Sequence, residues 1–89
     1  MKKNERMIDL RESLNLTQEE VAAGTELSQS MISRIEKGEK EPRKMNKIKI
    51  ISFFNEKLAK KGLDLISMQW LFYEESNDLK SYLIPTGTE

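Results

Sequence analysis

Apolar positions in this chain recur three and four apart through most of its length, and capping and turn residues interrupt them at short intervals. Met7, Leu10 and Leu14 fall on one face of a helix over residues 3–14, while Lys3, Arg6 and Glu12 take its other faces. Asn15 suits the end of that helix, because Asn tolerates the left-handed backbone found there. Thr17 and Glu20 then match the Thr-x-x-Glu capping box, in which hydroxyl and carboxylate satisfy each other's backbone N–H groups. A second helix of about two turns therefore starts at Thr17, with Val21 and Ala22 facing inward. Ser28 is the N-cap of a third helix whose apolar positions are Met31, Ile32 and Ile35. It runs to Lys37 and stops at Gly38, the usual left-handed terminator. Leu27 is placed to plug the space under the turn between helices two and three, and two short helices around such a turn form a helix-turn-helix unit.

After Pro42, the residues Met45, Ile48, Ile51, Phe54 and Leu58 form a stripe at helical spacing, with Ile50 and Phe53 on a second face. That apolar width exceeds the need of one small core, so this fourth helix is either buried on two sides or partly in contact with another subunit. It is expected to run to Lys61 and stop at Gly62. Residues 63–72 are strongly apolar, with Leu65, Ile66, Met68, Trp70, Leu71 and Phe72, and Ser67 is an N-cap candidate for a fifth helix. Farther on, the β-leaning runs 70–73 and 79–84, separated by Ser76, Asn77 and Asp78, would make a hairpin; a helix over 79–83 is the alternative. The end from Pro85 reads as frayed.

Charge changes this picture more than composition does. The formal net charge is zero, which alone argues against a nucleic-acid binder. Residues 1–61, however, hold 14 Lys/Arg against 10 Asp/Glu, and the remainder holds one Lys against five acids, so a mildly basic body carries an acidic tail. Arg34, Lys37, Lys40, Arg43, Lys44, Lys47 and Lys49 cluster in one stretch and outnumber Glu36, Glu39 and Glu41. With no Cys and no His in 89 residues, disulfides, thiolate or imidazole metal sites, cysteine nucleophiles and the usual general base at neutral pH are excluded, and neither cofactor nor metal is implied. An enzyme would have to work with carboxylates or lysines alone, and no constellation of them suggests one. The charged N-terminus offers no signal peptide and nothing approaches the roughly 20 apolar residues of a membrane helix, so a cytoplasmic protein without membrane contact is expected.

One set of residues at fixed spacing resembles the lambda-repressor-like family of helix-turn-helix DNA-binding domains. It comprises Leu10 and Arg11; Leu16, Thr17 and Gln18; Val21 and Ala22; Ser28, Gln29 and Ser30; and Ile32, Arg34, Ile35, Glu36 and Gly38, followed by Pro42. Ser67, Trp70 and Leu71 resemble the fifth helix of phage-type members. The resemblance implies an all-α, five-helix domain over residues 1–72 with a long fourth helix, and a short extension over 73–89 that is a candidate dimerisation element. It departs from the family at Glu26, where members commonly have Gly in a left-handed turn, while this chain places Gly24 two residues earlier. Either Glu26 adopts the left-handed turn at a cost of about 1 kcal/mol, or helix two ends early at Gly24.

By the same resemblance, the start of helix three enters the major groove of double-stranded DNA. Gln29, Ser30, Ser33 and Arg34 then contact bases, Gln being suited to adenine and Arg to guanine. Thr17, Gln18, Ser28, Lys37, Lys40, Arg43 and Lys44 would contact phosphates. Arg11 and Glu36 would form a partly buried ion pair that ties helix one to helix three. The implied function is a transcriptional repressor acting as a homodimer on a palindromic operator, since one small domain makes few base contacts. Excess apolar surface places the dimer contact at Phe53, Trp70, Phe72, Tyr73 and Tyr82. The alternative is an antitoxin-like module that neutralises a protein partner at its C-terminal segment and regulates its own operon.

Overall fold

The computed structural model describes residues 3–73, and within them every regular element is helical. Five elements follow in order: α1 (Glu5–Ser13), α2 (Gln18–Thr25), α3 (Gln29–Lys37), α4 (Lys44–Lys60) and α5 (Gln69–Tyr73), the last a single π-helical turn. Their boundaries follow from local chemistry. Asn4 caps α1 by accepting the Met7 N–H on its side chain. Thr17 and Glu20 close the capping box in both directions, Glu20 N–H to Thr17 Oγ1 at 3.1 Å and Thr17 N–H to Glu20 Oε1 at 2.8 Å. Ser28 accepts the Met31 N–H at 3.0 Å, and Gly38 ends α3 with φ of 80°.

Glu26 takes the left-handed turn, with φ 63° and ψ 28°, and its N–H and that of Leu27 both donate to the Ala22 carbonyl. Helix α2 thus continues past Gly24 to Thr25, and the turn keeps its geometry on a non-glycine residue. Gly24 has a separate reason to lack a side chain. A Cβ there would fall far inside van der Waals contact with the Phe53 ring of α4, so the glycine lets the two helices approach.

The core gathers Met7 and Leu14 from α1, Val21 and Ala22 from α2, Ile32 and Ile35 from α3, Ile50, Phe53, Phe54 and Leu58 from α4, and Leu71 from α5. Phe53 and Phe54 meet edge to face at 5.4 Å between centroids. Here the expected inward stripe of α4 needs correction. Met45 and Ile48 lie outside, 64% and 41% exposed, and Ile51 is only half-buried, while Lys47 occupies an inward position together with Ile50 and Phe53. A lysine can do this because its apolar stem covers core surface while the ammonium reaches a polar partner at the rim.

Side-chain clips on backbone hold the last segment in place. Asn55 of α4 donates to the Ile66 carbonyl at 3.0 Å and accepts the Ile66 N–H at 2.8 Å, a paired contact that seats residues 63–67 on α4. Ser67 caps the final turn by accepting the Trp70 N–H at 3.0 Å. Asn4 and Arg6 reach across from the start of the chain and donate to the Leu71 and Trp70 carbonyls at 3.0 and 2.9 Å. With Leu71 buried and these carbonyls taken, residues 70–73 form a helical turn and not the first arm of a hairpin. The second arm, 79–84, lies outside the described residues.

Candidate nucleic-acid interface

Helix α3 divides sharply between two faces. Ile32, Ile35 and Glu36 are buried, whereas Gln29, Ser30 and Arg34 are exposed and Ser33 is half-exposed. Residues 29, 30 and 33 share a face at one-turn spacing, so the structure brings the expected base-reading side chains onto one outward surface. Its register is set from beneath by Glu36, a carboxylate only 3% exposed.

Three donors converge on that carboxylate. Arg11 Nε donates to Oε2 at 2.7 Å and Nη2 to Oε1 at 3.2 Å, the two-point geometry that a guanidinium fork favours. Gln18 Nε2 donates to Oε1 at 2.9 Å. Arg11 Nη1 is also used, on the Leu16 carbonyl at 2.9 Å, and the Glu36 carbonyl accepts the Asn4 N–H at 2.9 Å. Helices α1, α2 and α3 are therefore tied at a single buried charge whose lone pairs are well occupied. A buried pair adds little net stability, since desolvation offsets the attraction, but breaking one leaves an uncompensated charge. Its consequence here is orientation: the outward face of α3 is fixed relative to the start of α2.

The expected phosphate contacts are spread over the starts of α2 and α3, the end of α3, and the loop 39–43 with the start of α4. Thr17 and Ser28 each accept a backbone N–H on the hydroxyl oxygen, which leaves the hydroxyl proton free to donate outward. Gln18 spends one amide N–H on Glu36 and keeps a second. Lys37, Lys40, Arg43 and Lys44 are all exposed, and no side-chain partner for them is found among the described residues. Three of the four lie in or beside the loop 39–43, which is held by the Glu39 N–H on the Arg34 carbonyl at 2.9 Å and by buried Pro42.

Glu41 interrupts this cationic loop, and Lys47 meets it from below. The Lys47 ammonium lies 2.5 Å from Glu41 and donates to the Tyr73 hydroxyl at 2.9 Å, with its charge also 4.2 Å from the Tyr73 ring centroid. Burial works against the charge on Lys47, but hydrogen bonds and attraction from Glu41 and Tyr73 outweigh it and raise its pKa above the ordinary lysine value. Neither this cluster nor the roles of Asn4 and Asn55 were anticipated from sequence. A lysine three residues before Ile50 within an apolar helix face was the available signal for the first.

The aromatic residues expected at a dimer contact separate in the structure. Phe53 is buried within the chain's own core against Gly24 and Phe54, and it offers little surface to a second subunit. Trp70 and Phe72 are half-buried, and Trp70 carries the Arg6 guanidinium 5.0 Å above its ring. Tyr73 is 55% exposed, while Tyr82 lies outside the described residues. Among those residues no helix is long and apolar enough to cross a membrane, and no cluster of acidic residues suits a metal ion.

In comparisons with known proteins, a family model described as helix-turn-helix matches residues 7–61, well over half of the chain. No curated protein and no solved structure matches it at a significant level.

Proposed function

Because the chain belongs to the lambda-repressor-like helix-turn-helix family of DNA-binding regulators, we propose that it is a transcriptional repressor that binds a palindromic operator as a homodimer. In this reading α3 lies in the major groove, and Gln29, Ser30, Ser33 and Arg34 read base edges. Thr17, Gln18, Ser28, Lys37, Lys40, Arg43 and Lys44 hold the flanking phosphates and fix the register. The observation that carries the proposal is the two-faced α3: an outward surface of amide, hydroxyl and guanidinium groups backed by Ile32, Ile35 and the three-donor contact at Glu36.

Dimerisation supplies what one domain lacks, since four candidate base-reading residues on one short helix specify few base pairs. The surface proposed for it is the C-terminal region, where Tyr73, Leu63 and Leu65 are exposed and Trp70 and Phe72 are half-buried. Nuclease footprinting on the DNA upstream of the protein's own gene tests the reading. Two protected half-sites about 34–36 Å apart, one DNA turn, are expected for a two-fold dimer. Uniform weak protection without discrete half-sites would count against it.

A further inference from the structure

Beneath the loop 39–43, the buried Lys47 joins Tyr73 of α5 to Glu41 of the loop. We propose that Lys47 is a positioning residue for DNA binding: held from one side by Tyr73, it anchors and neutralises Glu41, so that the Glu41 charge does not compete where Lys40, Arg43 and Lys44 meet the phosphate backbone. The inference rests on the DNA-binding reading above and deepens it, because it assigns control of the phosphate-facing loop to a residue that does not itself face the DNA.

Two considerations set this cluster apart from an ordinary surface ion pair. Glu41 is 69% exposed but its partner is buried, so packing holds the lysine while the acid is the half of the pair that meets solvent. Arg43, the residue at the N-cap of α4, makes no side-chain cap. The Glu41 contact therefore adds to the Glu39 N–H bond on the Arg34 carbonyl and to inward-packed Pro42 in securing the loop. Tyr73 then matters because it holds the ammonium by its hydroxyl and by its ring face. Phe72 adds a second ring 5.6 Å away. Whatever engages α5 acts on the same ammonium that steadies the loop.

The decisive variants are Lys47→Met, which keeps the apolar stem and removes the charge, Glu41→Gln, which removes the acid, and the double variant. Each is measured in the full chain by fluorescence anisotropy against a mixed-sequence duplex at several salt concentrations, with thermal unfolding alongside. Lys47→Met is expected to weaken DNA binding about three- to tenfold, on the scale of one charge at a screened surface. Its melting temperature should fall slightly, since attraction from Glu41 and Tyr73 outweighs the burial of the ammonium, but the fall stays small because Glu41, 69% exposed, remains in water when its partner is lost. Glu41→Gln should bind as tightly as the unaltered chain or more so, and Glu41→Gln in the Lys47→Met background should restore the lost affinity. If Lys47→Met binds unchanged, or if the double variant stays as weak as Lys47→Met alone, the proposal is overturned. Failure of the unaltered chain to bind any duplex at low salt would instead reject the DNA-binding reading itself, so the two failures are distinct.

Discussion

Replacing Gly24 with Ala is a sharp test of how α2 and α4 are packed, because two known effects of that substitution oppose each other. In an exposed helix interior, Gly→Ala stabilises by about 1 kcal/mol through backbone entropy and helix propensity. Gly24 has ordinary helical backbone, since the positive-φ residues are Asn15, Glu26, Gly38 and Gly62, so that gain is available in full. Against it stands the Phe53 ring, which the new methyl group would overlap. Phe53 cannot simply swing aside, for it packs on Phe54 within the core. Overpacking of a well-filled core costs roughly 1–3 kcal/mol, and the overlap here belongs to the severe end. The net expectation is a loss of about 1–2 kcal/mol. For a domain of this size that lowers the melting temperature by about 4–16 °C, at about 4–8 °C per kcal/mol. Chemical denaturation followed by circular dichroism measures it. Phe53→Leu should absorb the methyl group, so the double variant should be more stable than the sum of the single losses predicts. A Gly24→Ala chain as stable as the parent would show that the ring yields freely and that the glycine is not required for the approach of the two helices.

Glu26→Gly should stabilise the chain by up to about 1 kcal/mol, because Glu26 occupies left-handed backbone at the C-terminal end of α2, where a negative charge also opposes the helix dipole; a lower melting temperature would contradict this. Glu36→Ala should cost about 3 kcal/mol, the low end for breaking a buried pair, since Arg11 at 14% exposure keeps some access to water; equilibrium unfolding in urea reads it directly. Gln29→Ala and Arg34→Ala should each cost about 1–3 kcal/mol on the specific operator, and equal losses on random duplex would show that these residues do not read bases. Lys40→Ala should weaken binding to all sequences and reduce the slope of log affinity against log salt by about 0.9; an unchanged slope would remove Lys40 from the phosphate contacts.

The elements most legible in the sequence were those fixed by local chemistry. The capping box at Thr17 and Glu20, the cap at Ser28 and the terminator at Gly38 each act within four residues, and each lies where the pattern placed it. Misreadings arose where distant contacts decided the outcome. In α4, hydrophobicity favoured Met45 and Ile48 for the interior, but the helix is rolled so that Ile50, Phe53, Phe54 and Leu58 are buried and Lys47 turns inward with them, where Glu41 and Tyr73, the latter 26 positions later, receive its ammonium. Residues 70–73 have strand-like composition, yet Ser67, Asn4 and Arg6 hold them as a helical turn. Gly24 looked like a misplaced turn glycine until Phe53 supplied its reason. For the candidate interface, residue types and spacing on α3 could be read in advance. The link from Gln18 to Glu36 could not, because it joins residues 18 positions apart on separate helices.

Asn4 carries a consequence for how this protein is made. It caps α1, donates its own N–H to the end of α3 and grips the Leu71 carbonyl, so a residue at the start of α1 finds its last partner 67 positions later in the chain. At about 5–20 residues per second, the roughly 60 residues between α1 and Leu71 take some 3 to 12 seconds to emerge. During that interval the surface that Leu71 will cover stands open, and the nascent helices are exposed to chaperones and to one another.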